Sequence, residues 1–356
     1  MKRQLLMLSA LLLTFIGFAQ KPPKVELKAL QAFLNQPAVE DVTNAVALKI
    51  TDMNNPGSWE GIKMENGRVV EINWPGKKLG GNLDLSGFQA LRHVNVSNNR
   101  IVSILVKDNP SLVYLNAGRN RLTSIDVSAC PLLQDLRVYR NSLSSIDISG
   151  TPLLSRLNVS SNSLIELNVS NSANLTSLNC NNNHMEVLLL DNCPKLKNLY
   201  AAYNNLSDLT LDGLISLENL NLDSNRFKNL YLQGLPNLFT LMIADNRMQG
   251  MSIKDCKNLN DVDAAYNDLT TFTVENCPTL AFVDLAWNDL TYLDLSDQNF
   301  LQRLNVANNS LMTLDVTMDQ MLRYINIANN YNLTDLRTEG CTNLHMLRGA
   351  IDDYDM

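Results

Sequence analysis

The chain has little of what catalytic and nucleic-acid-binding proteins are built from. Only 3 histidines occur in 356 residues, His93, His184 and His345. It has no glycine-rich phosphate loop, no G-x-S-x-G nucleophile elbow and no H-E-x-x-H zinc motif. Positive charge is in deficit as well: 29 Lys and Arg stand against 36 Asp and Glu, a formal charge of −7. Such a surface repels a polyanion, which argues against nucleic acid as a ligand. Beyond residue 18 no apolar run is long enough for a membrane span.

The one long apolar run, Leu5 to Phe18, follows Lys2 and Arg3 and ends at Gly17-Phe18-Ala19, a small-x-small site before Gln20. That order predicts a secretory signal peptide over residues 1–19. No Cys follows the expected cut, so no lipid anchor is expected, and the chain shows no sorting segment near Met356. The reading is a secreted, periplasmic or cell-surface protein with no integral membrane segment after cleavage.

What the chain does have is a period. An asparagine returns every 21 residues at Asn99, Asn120, Asn141, Asn162, Asn183, Asn204, Asn225, Asn246, Asn267, Asn288, Asn309 and Asn330. Around it the frame L-x-x-L-x-L-x-x-N-x-L recurs, as in Leu91, Val94, Val96, Asn99, Ile101 and again in Leu301, Leu304, Val306, Asn309, Leu311. A weaker echo follows in each repeat: Leu122, Ile125 and Val127, or Leu311, Leu314 and Val316, alternate with polar residues as an extended strand does. Fixed-period self-similarity marks a solenoid.

The frame resembles that of leucine-rich-repeat proteins over roughly residues 67–350. The fold implied is a mainly β solenoid: short parallel strands on a concave face, strand-like or 3-10 segments on the convex face, and a gently curved right-handed superhelix about 60 Å long at about 5 Å per rung. The expected layout is a cap over 20–66, an imperfect first rung over 67–90, twelve repeats over 91–343, and a partial repeat with an acidic tail over 344–356. Leu27, Leu30, Phe33 and Leu34 share a helical face, and Ala38 to Ile50 is a second helix candidate. Trp59 to Met64 followed by Gly67 to Leu83 is similar to the cap of plant-type leucine-rich-repeat receptors, which usually carry a Cys where this chain has Met64.

Burying each apolar position yields roughly 1.5–3 kcal/mol, while ordering the backbone costs about 1–2 kcal/mol per residue. A lone rung therefore cannot hold itself together, and stability must come from stacking. The twelve asparagines are read as structural, bonding backbone groups that the turn leaves unpaired. Cys130, Cys193, Cys256, Cys277 and Cys341 share the nineteenth place, where other rungs put Thr151, Ser172, Leu214 or Leu235. They read as core fillers; only Cys256 and Cys277 stand on adjacent rungs, where a bridge would fit. The histidines fall in the first, fifth and thirteenth rungs, roughly 20 and 40 Å apart, too far for one metal site.

No enzyme, metal or cofactor is expected; calcium would need a denser set of oxygens. What remains is the exposed side of the first strand and the turn after it. Early rungs present Arg119, Arg137, Tyr139 and Arg140; later ones present Tyr200, Tyr203, Asp245, Asp261, Asp263, Tyr266, Asp268, Phe282, Asp284, Trp287 and Asp289. The seventh place turns to alanine (Ala202, Ala244, Ala265, Ala286, Ala307, Ala328), which opens a shallow trough. Exposed Trp, Tyr and Arg anchor interfaces, although aromatic ladders also steady neighbouring strands. The resemblance implies protein recognition, as in internalin-like proteins. A glycan-binding module using Tyr266 and Trp287, and a purely structural envelope protein, are the alternatives.

Overall fold

The computed structural model describes residues 22–39 and 41–349. The expected leader over 1–19 and the end of the acidic tail lie outside the described residues. The first arms of successive rungs stack into a 15-stranded sheet. Its outermost strand, Ile62–Glu65, pairs antiparallel with Arg68–Asn73, and from there the neighbours are parallel, as in Arg68–Asn73 beside His93–Asn95. Register follows the repeat: Leu178 stands opposite Leu157 and Leu199. The extra residue near Tyr331 is absorbed in a turn, since Ile325 still stands opposite Leu347. The result is a mostly β solenoid of about thirteen turns.

The second arm forms a ladder only in patches. The longest joins Tyr231–Gln233, Gly250–Lys254 and Thr271–Glu275, where Tyr, Thr, Phe and Val suit a pleated surface. In the rungs of Asp126, Asp147 and Asp294 no second strand forms, and each carboxylate accepts the N–H two residues on, at 2.9, 2.8 and 3.0 Å. The same bond closes second-arm strands that do form, at Asp84, Asn168 and Asp315, so it marks the turn after the arm.

Between the arms runs one continuous apolar core, from Leu30 to Cys341. The asparagine column closes it along one side. Asn204 is typical: its amide donates to the carbonyls of Cys180, Ala201 and Ala202 at 3.1, 3.1 and 3.2 Å, and its oxygen accepts from Met185 N–H at 3.1 Å. Cys180 and Met185 belong to the preceding rung, so each asparagine ties its own turn and stitches two rungs together.

At the N-terminus the helix Lys24–Leu34 buries Leu30, Phe33 and Leu34 against the first rung, and the Phe33 ring stacks on Trp74 at 6.2 Å. Buried Glu26 reaches Arg68 at 2.9 Å. The helix candidate over Ala38 to Ile50 shrinks to Asn44–Ala47. Upstream, Pro37 bridges to Thr43 as a short extended pair, and Lys49, with φ +58°, stops the helix downstream. The reason for that shape is edge cover. Asn44 donates to Phe33 and Gly80 carbonyls at 2.9 Å each and accepts from Gly80 N–H at 3.0 Å. Gln36 pairs both backbone groups of Asn82 at 2.6 and 2.8 Å. Together they occupy the edge of the strand Gly80–Asp84 that would otherwise be open.

All six cysteines are buried free thiols, Cys256 and Cys277 included. Burial pushes the Cys130 thiol up to about 11, well out of the reactive range.

Candidate functional site

The first-arm sheet positions the candidate residues in columns. Places three and five of each rung lie on the strand, place seven starts the turn, and place eight crowns it. Place eight has left-handed backbone throughout: Asn98, Arg119, Arg140, Ser161, Asn182, Tyr203, Ser224, Asp245, Tyr266, Trp287, Asn308 and Asn329 have φ between 51 and 62°. Bulky residues rarely adopt that conformation. The ladder enforces it, since Tyr266 N–H still donates to Ala286 and Trp287 N–H to Ala307, both at 2.9 Å. Sequence reasoning missed this. Its trace was there in the four asparagines of the column, the non-glycine residue that best tolerates the left-handed region.

The early patch is largely satisfied within the chain. Arg137 makes a two-pronged bond to Asp135 at 3.0 and 2.9 Å and lies 5.6 Å over the Tyr114 ring. Arg156 reaches the same buried Asp135 at 2.8 Å. Tyr139 covers Gly118, where an added Cβ would meet the ring at 2.3 Å, so its ring fills a gap in the face. Arg119 and Arg140 remain exposed.

The later patch differs. Tyr203, Tyr266 and Trp287 are 59, 57 and 52% exposed, and the Tyr266 and Trp287 rings stack at 5.7 Å and 11°. Beneath them Ala265, Ala286 and Ala307, with Ala328, pack as a small apolar floor. Tyr200 is half-buried and Phe282 exposed, in register between Asp261 and Arg303. Asp263 stands opposite Asp284. The Asp284 carboxylate takes both bonds from the Asn305 amide, at 3.0 and 2.9 Å. Asp263 accepts Ala265 N–H at 3.1 Å, yet burial, with Asp284, Asp223 and Asp261 adding like charge, pushes its carboxyl up to about 6. Asp261 is raised too, mainly by burial. Exposed Asp245 accepts from Ser224 Oγ at 2.8 Å, and Asp268 and Asp289 are exposed. Among the described residues none of Asp223, Asp245, Asp261, Asp263, Asp268, Asp284 and Asp289 makes an ion pair.

Thus the structure brings Asp245, Asp261, Asp263, Tyr266, Phe282, Asp284 and Trp287 onto one continuous face and sets Arg119, Arg137, Tyr139 and Arg140 several rungs away. Among the described residues no group of three or more His, Cys, Asp or Glu converges to hold a metal, and no helix is long and apolar enough to cross a membrane. What the later patch can do chemically is hold an apolar or cationic group from outside.

No protein-family model and no curated protein matches the sequence. Solved structures do match. The functional domain of InlJ from Listeria monocytogenes, which includes a cysteine ladder, is 24% identical over 79% of this chain, with a TM-score of 0.58; this chain spans 60% of that domain's length. A leucine-rich-repeat protein of Leptospira interrogans is 21% identical over 87% of this chain and 92% of its own, with a TM-score of 0.59. An internalin, inlF, from Listeria monocytogenes is 17% identical over 89% of this chain and 95% of its own, at 0.53. The fold is therefore the leucine-rich-repeat solenoid.

Proposed function

We propose that the protein is an exported, non-catalytic recognition scaffold that binds a protein partner on the first-arm face of rungs seven to ten. The observation that carries this reading is the exposed Tyr266–Trp287 stack, held in a backbone conformation that disfavours large side chains. A fold has no need of tryptophan at a strained, solvent-facing place where asparagine serves other rungs; an interface does. The flanking carboxylates, which make no ion pair among the described residues, supply polar contacts at the rim. The internalin-like and Leptospira neighbours support the scaffold and leave the ligand to be argued from the site.

The test is photo-crosslinking from a probe placed at Asn308, beside Trp287, in the native secretion environment, repeated with a Trp287→Ala/Tyr266→Ala variant of unchanged melting temperature. A protein adduct that the double variant loses supports the reading. Binding to a glycan array that the same variant loses would overturn it in favour of a carbohydrate module, and adducts indifferent to the variant would move the site elsewhere.

A further inference from the structure

Resting on that reading, we infer that the partner presents an arginine, seated on the open face of Tyr266 and paired with Asp245. Two tyrosines of this face, both on the strand, show how a guanidinium seats on it. At Tyr114 the guanidinium of Arg137 lies 5.6 Å over the ring and is gripped by Asp135. At Tyr324 the guanidinium of Arg303 lies 4.8 Å over the ring. Tyr266 stands on the crown beyond those strand places, with Asp245 at the same place of the preceding rung, and among the described residues no arginine lies over its ring.

The geometry of the empty place follows from the column. Trp287 covers one face of the Tyr266 ring. The other turns toward the preceding rung, where Asp245 occupies the same place and Asn246 N–H bonds the Tyr266 carbonyl at 3.2 Å. Neighbouring strands are about 4.8 Å apart, and a cation sits up to about 6 Å from an aromatic centroid. A guanidinium over Tyr266 is therefore within reach of Asp245. The Ser224 hydroxyl steadies that carboxylate through one oxygen at 2.8 Å and leaves the second for a ligand.

Charge favours the same occupant. Asp223, Asp263 and Asp284 lie on the same face and make no ion pair among the described residues, Asp261 feels only the charge of Arg303 two rungs on, and Arg226 and Arg247 are exposed. A planar guanidinium can stack on the ring and fork onto the carboxylate at once, which a lysine ammonium cannot. The alanine floor leaves room for the partner's backbone beside it.

The experiment uses three labelled heptapeptides, Gly-Ser-Arg-Gly-Arg-Ser-Gly and its lysine and citrulline counterparts, titrated into the protein and into Asp245→Asn and Tyr266→Ala variants with unchanged melting temperatures. The expected result is that the arginine peptide binds about tenfold tighter than the lysine one and the citrulline one not at all, with each variant losing about tenfold. Equal affinity for arginine and lysine, or indifference to both substitutions, overturns the inference. The two proposals fail separately. A crosslinked protein partner that the arginine peptide does not displace removes the arginine and leaves the scaffold standing; a glycan ligand removes both.

Discussion

At eleven of the twelve turns one asparagine amide meets three carbonyls and one N–H, Asn330 meeting two carbonyls, so the column tolerates neither loss nor inversion of its donors. Asn204→Ala leaves buried backbone groups unpaired, at about 1–3 kcal/mol for each group that water cannot reach. Asn204→Asp keeps the shape but turns an oxygen toward the carbonyls of Cys180, Ala201 and Ala202. The aspartate variant should therefore be the less stable of the two at pH 7, and the gap should narrow toward pH 4; urea melts at both pH values check this. Asp319 is a second exposed weakness in the core. It occupies the slot that Cys, Thr or Leu fill in other rungs, is 1% exposed, and has a buried oxygen without a partner, as has Gln298 one rung earlier. Burial, with Asp315 adding like charge, pushes its carboxyl up to about 7. The unfolded chain gives up that proton near pH 4 and the folded chain near 7, so stability is greatest below pH 4 and falls as pH rises through 7. Asp319→Leu should remove that slope and raise the melting temperature at pH 8, the free-energy gain being on the order of 3 kcal/mol. A variant that melts like the parent at pH 8 would refute the assignment.

Among elements, the N-terminal cap and the crown of place eight do opposite jobs. The cap saturates an edge: Asn44 and Gln36 occupy the backbone groups of Gly80 and Asn82, and Phe33 and Trp74 seal the first rung. Phe33→Ala should cost about 3–5 kcal/mol, and hydrogen exchange should show the loss concentrated in Arg68–Asn73 and Gly80–Asp84 rather than along the whole ladder, because each rung contacts only its neighbours. The crown instead leaves groups unsatisfied. Trp287→Asn relieves left-handed strain of about 1–3 kcal/mol and gives up a ring stack worth about 0.5–1.5 kcal/mol. These offset, so the variant should melt within a few degrees of the parent while partner binding is lost. A large drop in melting temperature would mean that the stack serves the fold.

For the whole molecule, the distribution of charge matters more than its sum. The early face pairs Arg137 and Arg156 with Asp135, whereas the later face accumulates carboxylates that make no ion pair among the described residues, the charge of Arg303 acting on Asp261 alone. Asp263 takes up its proton as pH falls through about 6 while Asp223, Asp261 and Asp284 surround it. Affinity for a cationic partner should therefore be weaker at pH 5 than at pH 7.5, and Asp263→Asn should flatten that profile. Surface plasmon resonance across the range decides it, and a profile unchanged by the substitution would place the titrating group elsewhere.

Much of this was legible in the repeat. A column of asparagine at a constant interval, apolar places in register and a second alternating arm leave one way to bury every rung, by stacking like on like, so the solenoid follows from the sequence alone. The inward cysteines and the separation of the histidines follow from the same count. Three features needed the folded chain. The second helix contracted to Asn44–Ala47 because Asn44 and Gln36 were wanted at a strand edge far away in sequence. Arg137 and Tyr139 look as available as Tyr266 and Trp287 in a list of outward places; only the folded face showed Arg137 held by Asp135 and the Tyr114 ring and Tyr139 laid over Gly118, with the second pair exposed. The left-handed crown was set by ladder bonds rather than by the preference of the residue that sits there. A periodic sequence specifies which places face in or out, because burial alone decides that. What each outward side chain touches depends on its neighbours one rung away, and that pairing exists only once the rungs are stacked.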